Sequence, residues 1–214
     1  HYKPILIGQR LLILPAWLES PEPKRIPIKI DPGMAFGTGT HPTTQLCLEL
    51  MEKAFDGGRR TEDGGKTSVL GPSSSVIDIG CGSGILSIAA LKLGAKTVLG
   101  VDIDIESVKN SRENADTNGV GEELILGQGS VTEVLSGKFP FKSAPLVVAN
   151  ILAPIIIRLF DAGLAELVEP NGEIILSGIL AHQAENVIEA AQAKGLRRSD
   201  QRQMGDWVAI SLKR

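Results

Sequence analysis

The stretch that decides the fold is Val76–Gly84, which has the sequence VIDIGCGSG. Its first half, Val76–Ile79, is a short apolar run that is typical of a buried strand. Its second half carries glycine at every other position, which permits positive φ angles and a close approach of a ligand to the backbone. A helical pattern follows at Ile85–Leu93, and the start of a helix presents free N–H groups. Strand, glycine turn and helix together predict a site for a small ligand.

The rest of the chain after Val76 alternates between strand and helix patterns, which predicts a doubly wound α/β sheet. Two final strands are predicted around Arg197–Arg202 and at Trp207–Leu212, with Gly205-Asp206 as the turn between them, which gives a terminal antiparallel hairpin. The predicted strands before this hairpin are 76–79, 97–101, 124–126, 146–149 and 173–177. The predicted helices are 85–93, 105–118, 154–168 and 184–194.

The segment before Val76 has a different character. Short apolar runs separated by Pro and Gly predict strands at Ile5–Ile7, Leu11–Leu14 and Ile26–Ile30. Residues 1–30 are therefore expected to be a linker or a small β segment, ahead of a main domain at 31–214. A loop rich in Gly and Thr, Asp31–Thr44, leads into a predicted helix at Thr43–Phe55. The Gly- and Ser-rich residues that follow predict an exposed loop.

Composition narrows the class of protein. A chain of 214 residues with 43% hydrophobic residues suits a packed globular domain. The formal net charge of −3 argues against a nucleic-acid binder, which usually carries a basic stripe. Two cysteines, Cys47 and Cys81, and three scattered histidines offer neither a disulfide framework nor metal-ligand spacing. No membrane-length apolar run or signal peptide is visible, so we expect a cytoplasmic monomer without a metal.

The acid Asp102 gives the glycine loop a second contact for a ligand. It lies at the end of the second predicted strand of the alternating region, where a carboxylate can accept the hydroxyl protons of a ribose. A nicotinamide or flavin dinucleotide and S-adenosylmethionine both carry such a ribose. The dinucleotide pattern is G-x-G-x-x-G, whereas the glycines here alternate as G-x-G-x-G. Asp78 would lie near a diphosphate but suits a sulfonium ligand with an amino group, so the pattern favours S-adenosylmethionine over the dinucleotide.

Asp78-x-Gly80-x-Gly82-x-Gly84 followed by Asp102 resembles the class I S-adenosylmethionine-dependent methyltransferases. Two further segments, Asp31–Thr44 (DPGMAFGTGTHPTT) and Asn150–Ala153 (NILA), resemble the family that methylates protein eleven of the large ribosomal subunit. The similarity extends through Ser177–Leu180 and covers nearly the whole chain. From the resemblance we expect two departures from the family: the 214 residues do not include the usual N-terminal substrate-recognition domain, and the loop at Gly57–Ser74 is longer.

The resemblance implies a Rossmann-like, seven-stranded methyltransferase sheet that binds S-adenosylmethionine and releases S-adenosylhomocysteine. It places cofactor contacts on Thr44, Gly80, Asp102 and Asn150, and the glycine pattern adds Gly82. The implied substrate is ribosomal protein eleven, methylated on lysine side chains and on its N-terminal amine. A different class I substrate, or a cofactor-binding fragment that is inactive without its missing domain, remains an alternative.

Three side chains, namely Asn150, Phe36 and Ser130, are candidates on physical grounds. Asn150 follows an apolar strand, and its amide oxygen can accept a hydrogen bond from an amine; the alternative is a turn or helix cap before Pro154. Phe36 stands among glycines and is either a lid over the cofactor or ordinary packing. Ser130 follows the third strand and either approaches the adenine or serves the turn. We expect His41 and Cys81 to be structural, because neither has an evident catalytic partner.

Overall fold

The computed structural model describes residues 3–31, 38–56, 70–71 and 73–214. Within these ranges the chain forms ten strands and six α-helices. The strands are β1 (Ile5–Ile7), β2 (Leu11–Pro15), β3 (Ile26–Ile30), β4 (Ser75–Ile79), β5 (Thr97–Asp102), β6 (Leu124–Gln128), β7 (Ala144–Asn150), β8 (Val168–Leu180), β9 (Arg197–Met204) and β10 (Trp207–Lys213). The helices are α1 (Pro42–Asp56), α2 (Ile85–Leu93), α3 (Ile105–Thr117), α4 (Val131–Leu135), α5 (Ala153–Asp161) and α6 (Ala184–Gln192).

The main sheet has seven strands in the order β6-β5-β4-β7-β8-β10-β9. Neighbours from β6 to β8 are parallel, whereas β10 runs antiparallel to both β8 and β9. The predicted α/β class, the seven-stranded sheet and the terminal antiparallel hairpin are therefore confirmed. The central strands β4 and β7 lie side by side. The chain adds β5 and β6 on the β4 side of this pair and β8 on the β7 side. In open α/β sheets, such a reversal of strand order leaves a crevice at the carboxyl ends of the strands.

The sheet is covered on both faces, as a doubly wound fold requires. One buried cluster contains side chains of α1 and α2, such as Leu46 and Ile88, together with Val76 and Val148 of the sheet. The other cluster contains residues of α5 and α6 on the opposite face. The central strands are buried on both faces, which explains why they read as continuous apolar runs rather than as alternating patterns.

The N-terminal strands form a separate three-stranded sheet, β1-β2-β3, that packs into the same core as α1 and α2. The buried carboxylate of Glu52 on α1 accepts the backbone N–H groups of Gln9 at 2.7 Å and Arg10 at 3.1 Å. At the other edge, Asn118 donates to the carbonyl of Lys29 at 2.6 Å and accepts its N–H at 2.8 Å. This small sheet is thus fastened to α1 and to the end of α3.

The largest difference from the sequence prediction lies between α5 and β8. A helix was expected through Val168, but α5 ends at Asp161, and Gly163 with a φ of 105° redirects the chain. A short 3-10 turn, Leu164–Leu167, then leads directly into β8. Pro170–Gly172, which was expected to follow the helix as a loop, instead forms a bulge inside β8. The apolar run had a helical spacing, but a glycine that adopts positive φ ends the helix sooner.

The short helix α4 was not predicted from the sequence. It begins after Ser130, whose backbone N–H donates to the Glu133 carboxylate at 2.8 Å. The signal was present as Ser-x-x-Glu, which is the sequence pattern of a capping box. Five residues are too few to show a hydrophobic period, so the capping pattern was the only local indication.

Candidate functional site

A cavity of about 470 Å³ opens at the carboxyl ends of β4, β5 and β7, where the strand order reverses. Five of the seven predicted site residues line it, namely Thr44, Gly80, Gly82, Asp102 and Asn150. They come from four separate segments of the chain. The sequence therefore predicted residues on both walls of the cavity, and the role of each residue remains a prediction.

The glycine loop is shaped by its backbone. Gly80 and Gly82 adopt φ angles of 73° and 54°, which side chains rarely tolerate. A Cβ atom added to Gly80 would lie 2.8 Å from the side chain of Ile151, so this position must remain open. The N–H groups of Gly80 and Cys81 both donate to the carbonyl of Val101, at 2.8 and 3.0 Å. The loop is thereby fixed to the end of β5.

Asp102 joins the same loop through its side chain. One carboxylate oxygen accepts the N–H of Gly82 at 2.9 Å, and the other accepts the N–H of Asp104 at 2.9 Å. Its side chain is only half-buried and faces the cavity. Each carboxylate oxygen accepts more than one hydrogen bond, so both retain capacity for the hydroxyl groups of a ligand. Asp102 therefore holds the loop in place and presents a carboxylate to the cavity.

Asp78 is the buried acid beneath the glycine loop. One of its oxygens accepts a hydrogen bond from the Ser87 hydroxyl at 2.6 Å. The other, Oδ1, is the only buried side-chain nitrogen or oxygen without a partner among the residues that the structure describes. Burial raises the pKa of Asp78 to about 7, and the nearby charge of Asp102 acts in the same direction. Asp78 lies beneath the loop and does not itself line the described cavity, and a buried carboxylate with one unpartnered oxygen is costly to keep charged.

The opposite wall of the cavity is built from α1, β7 and β8. The amide nitrogen of Asn150 donates to the hydroxyl of Thr44 at 3.2 Å. Ser177 of β8 lies opposite Asn150 in the sheet. Its hydroxyl donates to the carbonyl of Thr43 at 2.8 Å. These bonds fasten the first turn of α1 to the ends of two strands. Within the described ranges, the Asn150 oxygen keeps its accepting capacity.

Gly178 brings the two strand ends together. It adopts a φ of 85°. A Cβ atom added at this position would overlap the backbone atoms of Ile151. The N–H of Ile151 donates to the carbonyl of Ser177 at 3.1 Å. The segments Asn150–Ala153 and Ser177–Leu180, which were singled out separately in the sequence, therefore meet in the fold.

Trp207 lines the cavity and was not predicted from the sequence, whereas Leu152, which also lines it, belongs to the segment Asn150–Ala153 that the sequence singled out. Trp207 begins β10, and its ring contacts His41 edge to face with ring centres 4.9 Å apart. His41 was expected to be structural; it also lines the cavity, and its Nδ1 lies 2.8 Å from the Thr43 hydroxyl. The only sequence signal for Trp207 was its rarity, because the chain contains just two tryptophans.

The remaining candidates differ in position. Ser130 starts α4 beside the end of β5, where the N–H of Gly129 donates to the Asp102 carbonyl at 2.9 Å, but Ser130 does not line the described cavity. Phe36 lies outside the described residues. Cys81 does line the cavity; burial raises the pKa of its thiol, which leaves it an unreactive neutral group.

The described part of the chain contains neither a metal-binding cluster nor a membrane-spanning helix. No group of three or more His, Cys, Asp or Glu side chains is arranged to hold a metal ion. No helix in these ranges has the length and hydropathy needed to cross a membrane.

Comparison with known proteins identifies the family. Residues 1–214 match the family described as ribosomal protein L11 methyltransferase (PrmA). A ribosomal protein L11 methyltransferase of Mannheimia succiniciproducens is 49% identical over 91% of this chain and 59% of its own length. One from Pseudomonas fluorescens is 44% identical over 100% of this chain and 65% of its own length. The chain thus spans about three fifths of these curated relatives.

A solved structure agrees in fold over the full chain. It is the ribosomal protein L11 methylase of Lactobacillus delbrueckii subsp. bulgaricus, which is 31% identical and superimposes with a TM-score of 0.81. The match covers 100% of this chain and 98% of that one. The chain therefore belongs to the ribosomal protein L11 methyltransferase family.

Proposed function

We propose that this chain binds S-adenosylmethionine in the cavity between the glycine loop and Asn150, and transfers its methyl group to amines of ribosomal protein L11. The acceptors are lysine side chains and the N-terminal amine. The observation that carries the proposal is the convergence of Gly80 and Asp102 with Thr44 and Asn150 on one cavity at the reversal of strand order. Membership of the family supports the reaction and the substrate.

Asp102 and the glycine loop form the donor side of this site. Gly80 and Gly82 bring the backbone close to the ligand, and the Asp102 carboxylate accepts the ribose hydroxyl protons. The unpartnered oxygen of Asp78 lies two residues before Gly80 and favours a ligand with an ammonium group. It opposes a dinucleotide, because a diphosphate would bring further negative charge towards a buried acid. The chain's own charges thus support S-adenosylmethionine over NAD.

Asn150 and Thr44 form the acceptor side. When bound, S-adenosylmethionine supplies a methyl group that is activated by the sulfonium charge. The protein then has to position a neutral amine, since an ammonium ion has no lone pair. Thr44 holds the Asn150 amide nitrogen, which leaves the amide oxygen free to accept a hydrogen bond from the amine. The apolar residues that follow, Ile151 and Leu152, limit water at this end and disfavour the charged form.

The proposal extends to the organisation of the protein. Residues 31–214 form the catalytic unit, and residues 1–30 form the segment fastened to it through Glu52 and Asn118. We propose that Ser130 approaches the adenine of the cofactor and that Phe36 also contributes to cofactor binding. The reaction takes place in the cytoplasm, where ribosomal proteins are synthesised.

Calorimetry separates the donor hypotheses. We expect S-adenosylmethionine and S-adenosylhomocysteine to bind with one site per chain and NADH not to bind. Binding of NADH in place of both sulfur compounds would show that the donor is wrong. Mass spectrometry of ribosomal protein L11 after incubation with the donor then tests transfer. The same assay with a full-length relative distinguishes an enzyme from a cofactor-binding fragment.

A further inference from the structure

The cavity has two chemically different halves. The half formed by the ends of β4 and β5 contains Asp102, which is the only carboxylate among the described lining residues. The half beyond Asn150 is formed by Leu152, Gly178 and Trp207, with His41 beside the indole. This second half offers an amine no negative charge within the described lining, so it accepts the neutral form more readily than the ammonium ion.

An apolar ridge borders the second half on the side of α5. Leu152 precedes this helix and is 59% exposed, although it also lines the cavity. Ile155 follows one turn later, where its N–H donates to the Leu152 carbonyl at 2.9 Å, and it is 36% exposed. Both side chains are large and apolar, and both are exposed to water although one of them lines the cavity. Exposed apolar groups beside a cavity are a common sign of a binding surface.

A second apolar ridge borders the same opening on the side of the terminal hairpin. Met204 and Trp207 are paired across the two-residue turn, so their side chains lie on the same face. Trp207 lines the cavity, and Met204 is 36% exposed next to it. Trp207 also pairs with Leu180 of β8, which continues the segment that contains Gly178. The hairpin ridge thus lies beside the cavity, as the α5 ridge does.

We propose that these two ridges, Leu152 with Ile155 and Met204 with Trp207, bind an extended polypeptide whose apolar side chains flank the acceptor lysine. The inference rests on the proposed function and names what the site recognises beyond the amine itself. A polypeptide that delivers an amine to Asn150 through this half must pass Leu152 and Trp207, because both line it. Apolar neighbours of the lysine would then cover apolar surface that is otherwise exposed to water, which favours the complex.

Two short peptides test this surface on the whole chain, with S-adenosylhomocysteine at saturation. One is acetyl-Leu-Lys-Leu-amide, and the other is acetyl-Gly-Lys-Gly-amide. Replacing Trp17 by Phe leaves Trp207 as the only tryptophan, so its fluorescence reports binding at the hairpin ridge. We expect the leucine peptide to bind about tenfold more tightly, the equivalent of roughly 1.4 kcal/mol. We also expect it to shift the Trp207 emission to shorter wavelength.

The variant Ile155→Ser/Met204→Ser, made in the same background, is expected to lose this tenfold preference. Neither of the two residues lines the cavity, so binding of S-adenosylhomocysteine should be unchanged. Leu6→Ser is the matched control, because Leu6 is 55% exposed on the distant strand β1 and should leave the preference intact.

The outcomes separate the two proposals. Equal affinities for the two peptides, a preference that survives in the double variant, or no response of Trp207 to either peptide would each overturn the docking surface. If S-adenosylhomocysteine still binds by calorimetry in those cases, the proposed function stands. Failure of S-adenosylhomocysteine to bind the unmodified chain would reject the proposed function and the docking surface with it.

Discussion

The donor side and the acceptor side of the cavity are built in different ways. On the donor side, the hydrogen bond from Gly82 to Asp102 joins residues that are 20 positions apart in the chain. On the acceptor side, the bond from Asn150 to Thr44 spans 106 positions, and the bond from Ser177 to Thr43 spans 134. The donor side is thus a local motif of one strand-turn-helix unit and the next strand. The acceptor side exists only when distant elements have packed together, so it should be the more sensitive to mutation.

The largest expected loss of stability comes from a substitution on the acceptor side. Gly178→Ala forces a Cβ atom into the backbone of Ile151 at a positive φ. Overpacking and backbone strain together should lower the free energy of unfolding by about 3 to 5 kcal/mol. Gly82→Ala is the control on the donor side: it has the same kind of φ but no atom within 4 Å of the added Cβ, so about 1 kcal/mol is expected. Urea unfolding of both variants measures the difference, and equal losses would contradict the comparison.

The second prediction concerns Asp78 and pH. Its folded pKa of about 7 lies above the ordinary value of 3.8, so the folded state binds the proton more tightly than the unfolded state. The contribution of this group to stability is therefore present below the ordinary value and is lost as the pH rises through about 7. Asp78→Asn removes this dependence and keeps an acceptor for Ser87. Between about pH 5 and pH 8, its stability relative to the unmodified protein should rise by on the order of a few kcal/mol.

The same Asp78 variant sharpens the proposal for the donor. If the Asp78 carboxylate pairs with the ammonium group of the ligand, Asp78→Asn should bind S-adenosylhomocysteine more weakly, although its relative stability rises with pH. Calorimetry at about pH 8 shows whether both changes occur together. A variant that gains stability and keeps full affinity would mean that Asp78 does not face the ligand's charge.

The third prediction tests Asp102. Asp102→Ala should weaken binding of S-adenosylmethionine by about 1 to 3 kcal/mol, the usual loss for charge-assisted hydrogen bonds. Part of this loss has an indirect cause, because the variant also releases the N–H of Gly82. Glu113→Ala, on the exposed side of α3, is a control that removes a carboxylate away from the cavity. Unchanged affinity in Asp102→Ala would place the ribose elsewhere.

The smallest expected effect comes from Thr44→Val. The substitution preserves the shape of the buried side chain but removes the hydroxyl that accepts from Asn150. A loss of about 1 kcal/mol in stability is expected, with a fall in methyl transfer that exceeds any fall in affinity for the donor. Thr117→Val, on the exposed side of α3, is the control and should leave methyl transfer and affinity for the donor unchanged. A purely structural role for Thr44 would lower stability without a specific loss of transfer.

Local patterns in the sequence predicted the fold well where a single residue ends each element. α2 begins after Gly84 and ends before Gly94, as the glycines indicated. The prediction was wrong at α5, where an apolar run continued past Gly163 and concealed the change from helix to strand. Apolar residues in that run are buried in either conformation, so their spacing did not distinguish the two. Only the pairing of β8 with β7 and β10 settles the choice.

For the site, the sequence by itself determined the glycine loop and Asp102, because a strand, a turn and a helix start bring their groups together within a short stretch of chain. It also marked Thr44 through family resemblance, and Asn150 through both that resemblance and its position after an apolar strand. Only the tertiary structure decided that Trp207 borders the same cavity and that Asp78 retains an unpartnered oxygen. Burial and proximity depend on how distant strands stack in the sheet, and no local pattern encodes that arrangement.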